Sequence, residues 1–315
     1  MNKSDLRIVF MGTPDFALPS LTMLVEEGYD VALVVAQPDR KRGRGHKLLP
    51  PPTKVCAQEH GLEVFQVEKI SSPEGVAKLK EVAPNLMITA AFGQILSEEV
   101  LGIPSFGCIN VHGSLLPKYR GAAPIQWAII NGERESGVTT MYTVKKLDAG
   151  DMLLKQAVPI GDETTAGELY EQLAQTGAQV LKKTLEQLLN GTLCPTPQQE
   201  EDMTYFPMFP KGFGQIDFAQ PAQNIKNLVR GINPAPGAYT FYEEQKIKVF
   251  AVSVLEQKKE GTPGQIIAAD AKQGLIVCGG DGLLSIDTLQ FPGSRPMSAA
   301  DFLRGKQLQV GTVLK

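Results

Sequence analysis

No run of 18 apolar residues occurs anywhere in the chain, and its start, Met1-Asn2-Lys3-Ser4-Asp5-Leu6-Arg7, carries an acid and no hydrophobic segment. A membrane-spanning helix and a secretory signal are therefore not expected. The four cysteines, Cys56, Cys108, Cys194 and Cys278, form no C-x-x-C pair. They read as free thiols in a reducing compartment, which points to the cytoplasm. Histidine is scarce: there are three, none spaced with cysteines or carboxylates as metal ligands are, so no metal is expected. Neither G-x-G-x-x-G nor G-x-x-x-x-G-K-[ST] is present. The first apolar run ends in Gly12-Thr13-Pro14-Asp15-Phe16, without the glycines that let backbone approach a pyrophosphate, which argues against a dinucleotide site.

What remains is an ordinary globular composition, 43% hydrophobic and 21% charged over 315 residues, enough for two domains. The net charge of −3 is unevenly spread. Residues 1–207 hold 19 basic and 25 acidic side chains, and residues 208–315 hold 12 and 9. Within the acidic part, residues 38–54 set Arg40, Lys41, Arg42, Arg44, Lys47 and Lys54 against Asp39 alone. An anionic partner would meet a local positive surface there despite the overall sign.

Short apolar runs at 6–11, 31–36, 85–92, 107–112, 137–144 and 152–160 read as strands, and helical spacing marks 16–28, 53–60, 73–82, 121–131 and 164–189. This alternation predicts a doubly wound, mostly parallel, Rossmann-like sheet. Residues 37–52 show no periodicity. They suit either a solvated loop or a basic finger that orders on a phosphate backbone. Residues 191–214 are again aperiodic and rich in proline. Beyond them, short strands at 239–242, 247–255, 264–268, 275–278 and 283–289, with helices at 222–231 and 298–304, predict a small antiparallel, OB-like barrel. The expected organisation is a domain at 1–190, a linker at 191–207 and a second domain at 208–315.

The chemistry concentrates in Cys108-Ile109-Asn110-Val111-His112-Gly113-Ser114-Leu115-Leu116-Pro117. Alternation along a strand puts Asn110 and His112 on one face, pairing a carboxamide donor with an imidazole able to titrate near neutral pH. Strand C-termini are where open α/β sheets place ligands. Taken alone, Asn-x-His is more often a polar pair that satisfies loop backbone groups. Asp148, in the loop Asp148-Ala149-Gly150-Asp151, adds a carboxylate able to reach the imidazole if the sheet brings the loops together. Asn, His and Asp around one cavity suit acyl transfer to an amine, where donors stabilise the tetrahedral oxyanion and the carboxylate assists proton transfer. Cys108 reads as a packing residue.

The run Asn110-Val111-His112-Gly113-Ser114-Leu115-Leu116-Pro117-Lys118-Tyr119-Arg120-Gly121-Ala122-Ala123-Pro124-Ile125, with Gly137-Val138-Thr139-Thr140-Met141 and Leu147-Asp148-Ala149-Gly150-Asp151, closely resembles the folate-dependent formyltransferases. Gly12-Thr13-Pro14-Asp15-Phe16, Gln37-Pro38-Asp39-Arg40 and a full C-terminal domain resemble the members that act on an aminoacylated tRNA. The resemblance implies that 10-formyltetrahydrofolate donates a formyl group to the α-amino group of methionyl initiator tRNA, for translation initiation, without a metal. By it Asn110, His112 and Asp148 are catalytic, Ser114, Leu115, Leu116 and Pro117 line the folate site, and Ala91, Phe92 and Gly93 form a wall of the pteridine pocket. It also implies that the basic loop meets tRNA through Arg44, supported by Arg40, Lys41, Arg42 and Lys47. A monomer without an obligate protein partner is expected. Ala235, where similar proteins often carry Trp, and the segment Thr204-Tyr205-Phe206-Pro207-Met208-Phe209-Pro210-Lys211 depart from the pattern. The remaining alternatives keep the chemistry on an amino-sugar nucleotide, make the chain a folate hydrolase domain, or leave it a non-catalytic tRNA-binding protein.

Overall fold

The computed structural model describes residues 1–42, 47–258 and 261–315, with the side chains of Arg42 and Lys258 excepted. In chain order the elements are β1 Arg7–Gly12, α1 Leu18–Glu26, β2 Asp30–Ala36, β3 Arg40–Arg42, β4 Lys47–Leu49, α2 Pro52–Glu59, β5 Val64–Gln66, α3 Pro73–Val82, β6 Leu86–Ala90, α4 Glu98–Leu101, β7 Cys108–His112, β8 Arg120–Gly121 and α5 Pro124–Ile130. There follow β9 Glu135–Tyr142, β10 Met152–Pro159, α6 Ala166–Asn190, β11 Tyr205–Phe206, α7 Ala222–Gly231, β12 Ala238–Tyr242, β13 Gln245–Lys258, β14 Ile266–Asp270, β15 Gly274–Cys278, β16 Gly282–Gln290, β17 Met297–Ser298 and α8 Ala299–Gly305. Among the described residues no helix is long and apolar enough to cross a membrane.

The chain divides into two compact units. The first comprises Met1–Pro124, Glu135–Pro159 and Tyr170–Pro207; the second comprises Ile125–Arg134, Ile160–Leu169 and Met208–Lys315. The first is built on a seven-stranded sheet in the order β10-β9-β7-β6-β1-β2-β5. The pairs among β7, β6, β1, β2 and β5 are parallel, whereas β9 and β10 are antiparallel. The buried strands β1 and β6 are apolar on both faces, as a sheet covered by helices on both sides requires. The chain steps from β1 outward to β2 and then returns to the opposite side of β1 as β6. That reversal opens a crevice at the strand C-termini, where such sheets bind ligands.

The aperiodic stretch 37–52 is ordered at its flanks: β3 and β4 pair antiparallel, with Arg40 opposite Leu49 and Lys41 opposite Leu48. Its base is tied down by Lys54, which donates to Asp39 at 2.9 Å and to Gln66 at 2.8 Å. The helix read at 121–131 begins only at Pro124, because Arg120–Gly121 pair with Tyr205–Phe206 as a two-stranded parallel ribbon. Residues 191–207 thus fold with the first unit.

In the second unit β12-β13-β16-β15-β14 form an antiparallel sheet, with β17 on β16. The last residues join its two edges. Lys315 exchanges backbone hydrogen bonds with Phe241 of β12, while Ile266 of β14 donates to Thr312 and accepts from Gly311. This edge closure produces the barrel the strand pattern predicts, around a core that includes Ile225, Val249, Leu284, Ile286 and Leu289. Residues 160–169 belong here because Arg230 donates to the carbonyls of Gly161 and Thr164, and residues 125–134 because Trp127 packs on Phe209 and Phe213.

Candidate active site

Strand β7 is an inner strand of the first sheet, and its burial is complete except at Asn110. Its register sets Asn110 beside Thr89 of β6 and His112 beside Thr139 of β9. Thr89 donates its hydroxyl to Asn110 Oδ1 at 2.9 Å, which turns the NH2 end of the carboxamide away from Thr89. The His112 Nε2 lies 3.1 Å from the carbonyl oxygen of Tyr119. A carbonyl only accepts, so Nε2 carries the proton and Nδ1 is the working nitrogen. Nδ1 faces Asp148 Oδ1 across 3.8 Å, too far for a hydrogen bond, with both side chains about nine-tenths buried. The other oxygen, Asp148 Oδ2, accepts the Gly121 N–H at 2.9 Å. The structure therefore brings Asn110, His112 and Asp148 together in the first unit.

Asp148 holds a left-handed backbone conformation, with φ 48°. Gln198 secures it: its Nε2 donates to the carbonyls of Asp148 and Gly150 at 2.9 and 2.8 Å, and its Oε1 accepts from Arg120 Nε. Arg120 also pairs with Glu200, whose carboxyl is held below the usual range by its hydrogen bonds to Lys146 and Arg120. Gln198 carried no signal in the sequence, and Thr89 is identified only through the strand register. Cys108 is fully enclosed, and burial pushes its thiol up to about 12, which fits a packing group and not a nucleophile.

Thr139 organises the loop after β7: its hydroxyl donates to the Ser114 carbonyl at 2.7 Å and accepts the Leu116 N–H at 3.1 Å. Ser114 donates to the Lys118 carbonyl, and Leu116 packs with Met141 and Met152. Leu115 and Pro117 lie on the same loop, Leu115 partly exposed beside Gly137. After β6, Ala91 and Gly93 take positive φ values of 46° and 79° around the buried Phe92. The Phe92 carbonyl accepts from Thr13 Oγ1 and Gln37 Nε2, linking the ends of β6, β1 and β2 at the crevice. Such a wall offers backbone groups beside apolar side chains. Among the described residues no group of three or more His, Cys, Asp or Glu is placed to hold a metal.

On the basic hairpin Lys41 and Lys47 are exposed, and Arg40 is engaged with Glu68 at 2.7 Å. Leu48 and Leu49 are exposed beside them. Arg44 and the Arg42 side chain lie outside the described residues.

Comparison with known proteins identifies the family of the chain. Residues 6–185 match the formyl transferase family profile, and residues 209–307 match the formyl transferase C-terminal domain. The methionyl-tRNA formyltransferase of Acetivibrio thermocellus is 51% identical over 310 residues, covering 98% of this chain and 99% of that protein. That of Ruminiclostridium cellulolyticum is 50% identical over 311 residues, covering 98% and 99%. Among solved structures, the sugar 3N-formyl transferase WlaRD, in the presence of dTDP and 5-N-formyl-THF, matches with a TM-score of 0.65 at 20% identity, covering 92% of this chain and 99% of that one. HypX from Aquifex aeolicus in complex with tetrahydrofolic acid matches at TM-score 0.62 and 20% identity, covering 98% and 51%. The chain is a formyl-transferring enzyme with a Rossmann-like sheet and a C-terminal antiparallel domain, and it belongs to the methionyl-tRNA formyltransferase family.

Proposed function

We propose that the acceptor is the α-amino group of methionyl initiator tRNA, that the donor is 10-formyltetrahydrofolate, and that Asn110, His112 and Asp148 carry the transfer. The relatives' shared name over essentially full length supports the acceptor. The folate ligands of the fold neighbours support the donor class. The crevice also fits: a pterin needs in-plane hydrogen-bonding partners and apolar faces, and the Ala91–Phe92–Gly93 segment at the end of β6 offers backbone groups beside apolar side chains.

One observation carries the mechanism. Thr89 occupies the oxygen of Asn110 and the Tyr119 carbonyl occupies Nε2 of His112, so the NH2 group of Asn110 and the Nδ1 atom of His112 are left to face a third party. The amine lone pair forms a C–N bond to the formyl carbon as the carbonyl electrons move onto oxygen. Asn110 NH2 and protonated Nδ1 of His112 donate to that oxygen, each such donor contributing roughly 3–4 kcal/mol of barrier lowering. Asp148 stabilises the imidazolium and takes the proton released by the attacking amine, directly or through water. Collapse re-forms the carbonyl and breaks the bond to the folate nitrogen, which leaves with a proton.

In this reading the basic residues Arg40, Lys41, Arg42 and Lys47 on β3 and β4, together with Arg44 outside the described residues, contact tRNA, their charge meeting phosphates and Arg offering bidentate contacts. Single-turnover formyl transfer to methionyl initiator tRNA and to free methionine, with wild type and His112→Ala, is the test. Rapid transfer to the charged tRNA alone, lost in the variant, is expected. Folate binding without transfer to either acceptor would shift the assignment to a small amino acceptor.

A further inference from the structure

The segment 196–206 makes contacts that a tether does not need. It begins by pairing with β10, Thr196 and Met152 exchanging hydrogen bonds at 2.8 and 2.9 Å. Gln198 then sits beneath the loop of Asp148, and Glu200 joins Arg120 at 3.0 Å to Lys146 at 2.8 Å. Thr204 accepts the Tyr119 N–H on its hydroxyl and the Arg120 N–H on its carbonyl. Phe206 stacks on Tyr119 with ring centroids 4.9 Å apart and accepts the Ala122 N–H. Tyr119 is the residue whose carbonyl holds His112, and Gly121 is the one whose N–H holds Asp148. A side chain at Gly121 would place its Cβ 2.5 Å from the Phe206 carbonyl oxygen.

From these contacts we infer that residues 196–206 are a brace that sets the His112–Asp148 geometry, and that Gln198 is the positioning residue through which it acts on Asp148. The inference rests on the catalytic role of Asp148 proposed above. Its physical basis is a donor count. The Asp148 backbone is in a left-handed conformation that costs of order 1 kcal/mol or more for a residue with a side chain. The Gln198 amide gives both its hydrogens to the two carbonyls that bracket Ala149, and its oxygen is fixed by the buried Arg120 guanidinium. A planar amide clamped at three points fixes the loop more tightly than any single bond does. The carboxylate faces Nδ1 across 3.8 Å without touching it, so its placement depends on the loop and not on the imidazole.

The test is formyl transfer by Gln198→Met and Gln198→Glu, each alone and combined with Asp148→Asn. Methionine keeps the length and removes both donors. Glutamate keeps the shape and the acceptor for Arg120 but sets a carboxylate against two carbonyl oxygens. In the wild-type background kcat is expected to fall about 10²-fold, the order that a 1 Å misplacement costs. KM for both substrates is expected to change less than about threefold, since binding groups are untouched. In the Asp148→Asn background the further loss is expected to stay below about threefold, because residues acting through one another are not additive. Equal losses in both backgrounds would overturn the positioning role while leaving Asp148 catalytic. An Asp148→Asn enzyme as fast as wild type would overturn the mechanism and this inference together. If Gln198→Glu does not fold, Gln198→Met decides on the same criteria.

Discussion

Replacing Gly150 with alanine perturbs the site without touching a functional group. A Cβ built at Gly150 lies 1.8 Å from the carbonyl oxygen and 2.8 Å from the carbonyl carbon of Tyr142, both backbone atoms at the end of β9. Carbon–oxygen contacts under 3.0 Å do not occur, and neither partner is a side chain that can swing away, so the loop must retreat by about 1 Å or more. Asp148 lies two residues earlier, and the Gly150 carbonyl is one of the two that Gln198 holds. The same displacement therefore both moves the carboxylate and loosens its clamp. A shift of that size in a positioned group costs about 10² in rate, while overpacking costs roughly 1–3 kcal/mol of stability. For a unit of this size that lowers the melting temperature by about 2–4 °C per kcal/mol. Gly305→Ala is the matched control, since nothing lies within 4 Å of its Cβ position. Single-turnover formyl transfer and thermal unfolding of the two variants decide the matter. A Gly150→Ala enzyme within threefold of wild type, unfolding at the same temperature, would refute the claim that the loop is rigidly seated.

Removing one oxyanion donor by Asn110→Ala is expected to lower kcat about 10²–10³-fold with KM little changed, as measured by steady-state kinetics. Glu27 is held down to about 2 by hydrogen bonds from Lys182 and Lys3, so the unfolded chain takes up its proton first as pH falls. The stability this carboxylate contributes is thus present above its ordinary value of 4.5 and is lost between there and about 2. Thermal unfolding of Glu27→Gln and wild type should accordingly differ at pH 6 and converge near pH 2. Lys41→Ala and Lys47→Ala are each expected to weaken tRNA binding and reduce the slope of log K against log salt by about 0.7–0.9, read from binding titrations at several salt concentrations.

Much of the fold was legible because burial imposes period. The apolar runs on both faces of β1, β2 and β6 announced a covered parallel sheet, and α3 and α7 begin and end where Pro73, Val82, Ala222 and Gly231 suggested. The hairpin of β3 and β4 escaped because β4 is exposed throughout, so no apolar alternation marks it. Period says that a face is buried, not against what. The helix residues around Trp127 and the turn at 160–165 therefore gave no hint that they pack within the second unit, where Phe209, Phe213 and Arg230 receive them.

The candidate site divides along the same line. Asn110 and His112 could be read from one strand because alternation alone puts them on one face, whereas Asp148 needed the two antiparallel strands β9 and β10 to fold its loop back over β7. Its supports come from farther still: Thr89 is 21 residues before Asn110, Gln198 is 50 residues after Asp148, and Thr204 is 85 residues after Tyr119. Thr89 is a lone hydroxyl in an otherwise apolar strand, and Gln198 and Thr204 are polar residues in a stretch without periodicity, so only the strand register and the β8–β11 ribbon reveal them as part of the site. A reading that stops at Asn110, His112 and Asp148 names the groups that would touch the substrates. The geometry between those groups is set by residues whose side chains reach no reacting atom, and for that reason the loss of a Gln198 donor should cost rate while leaving substrate affinity in place.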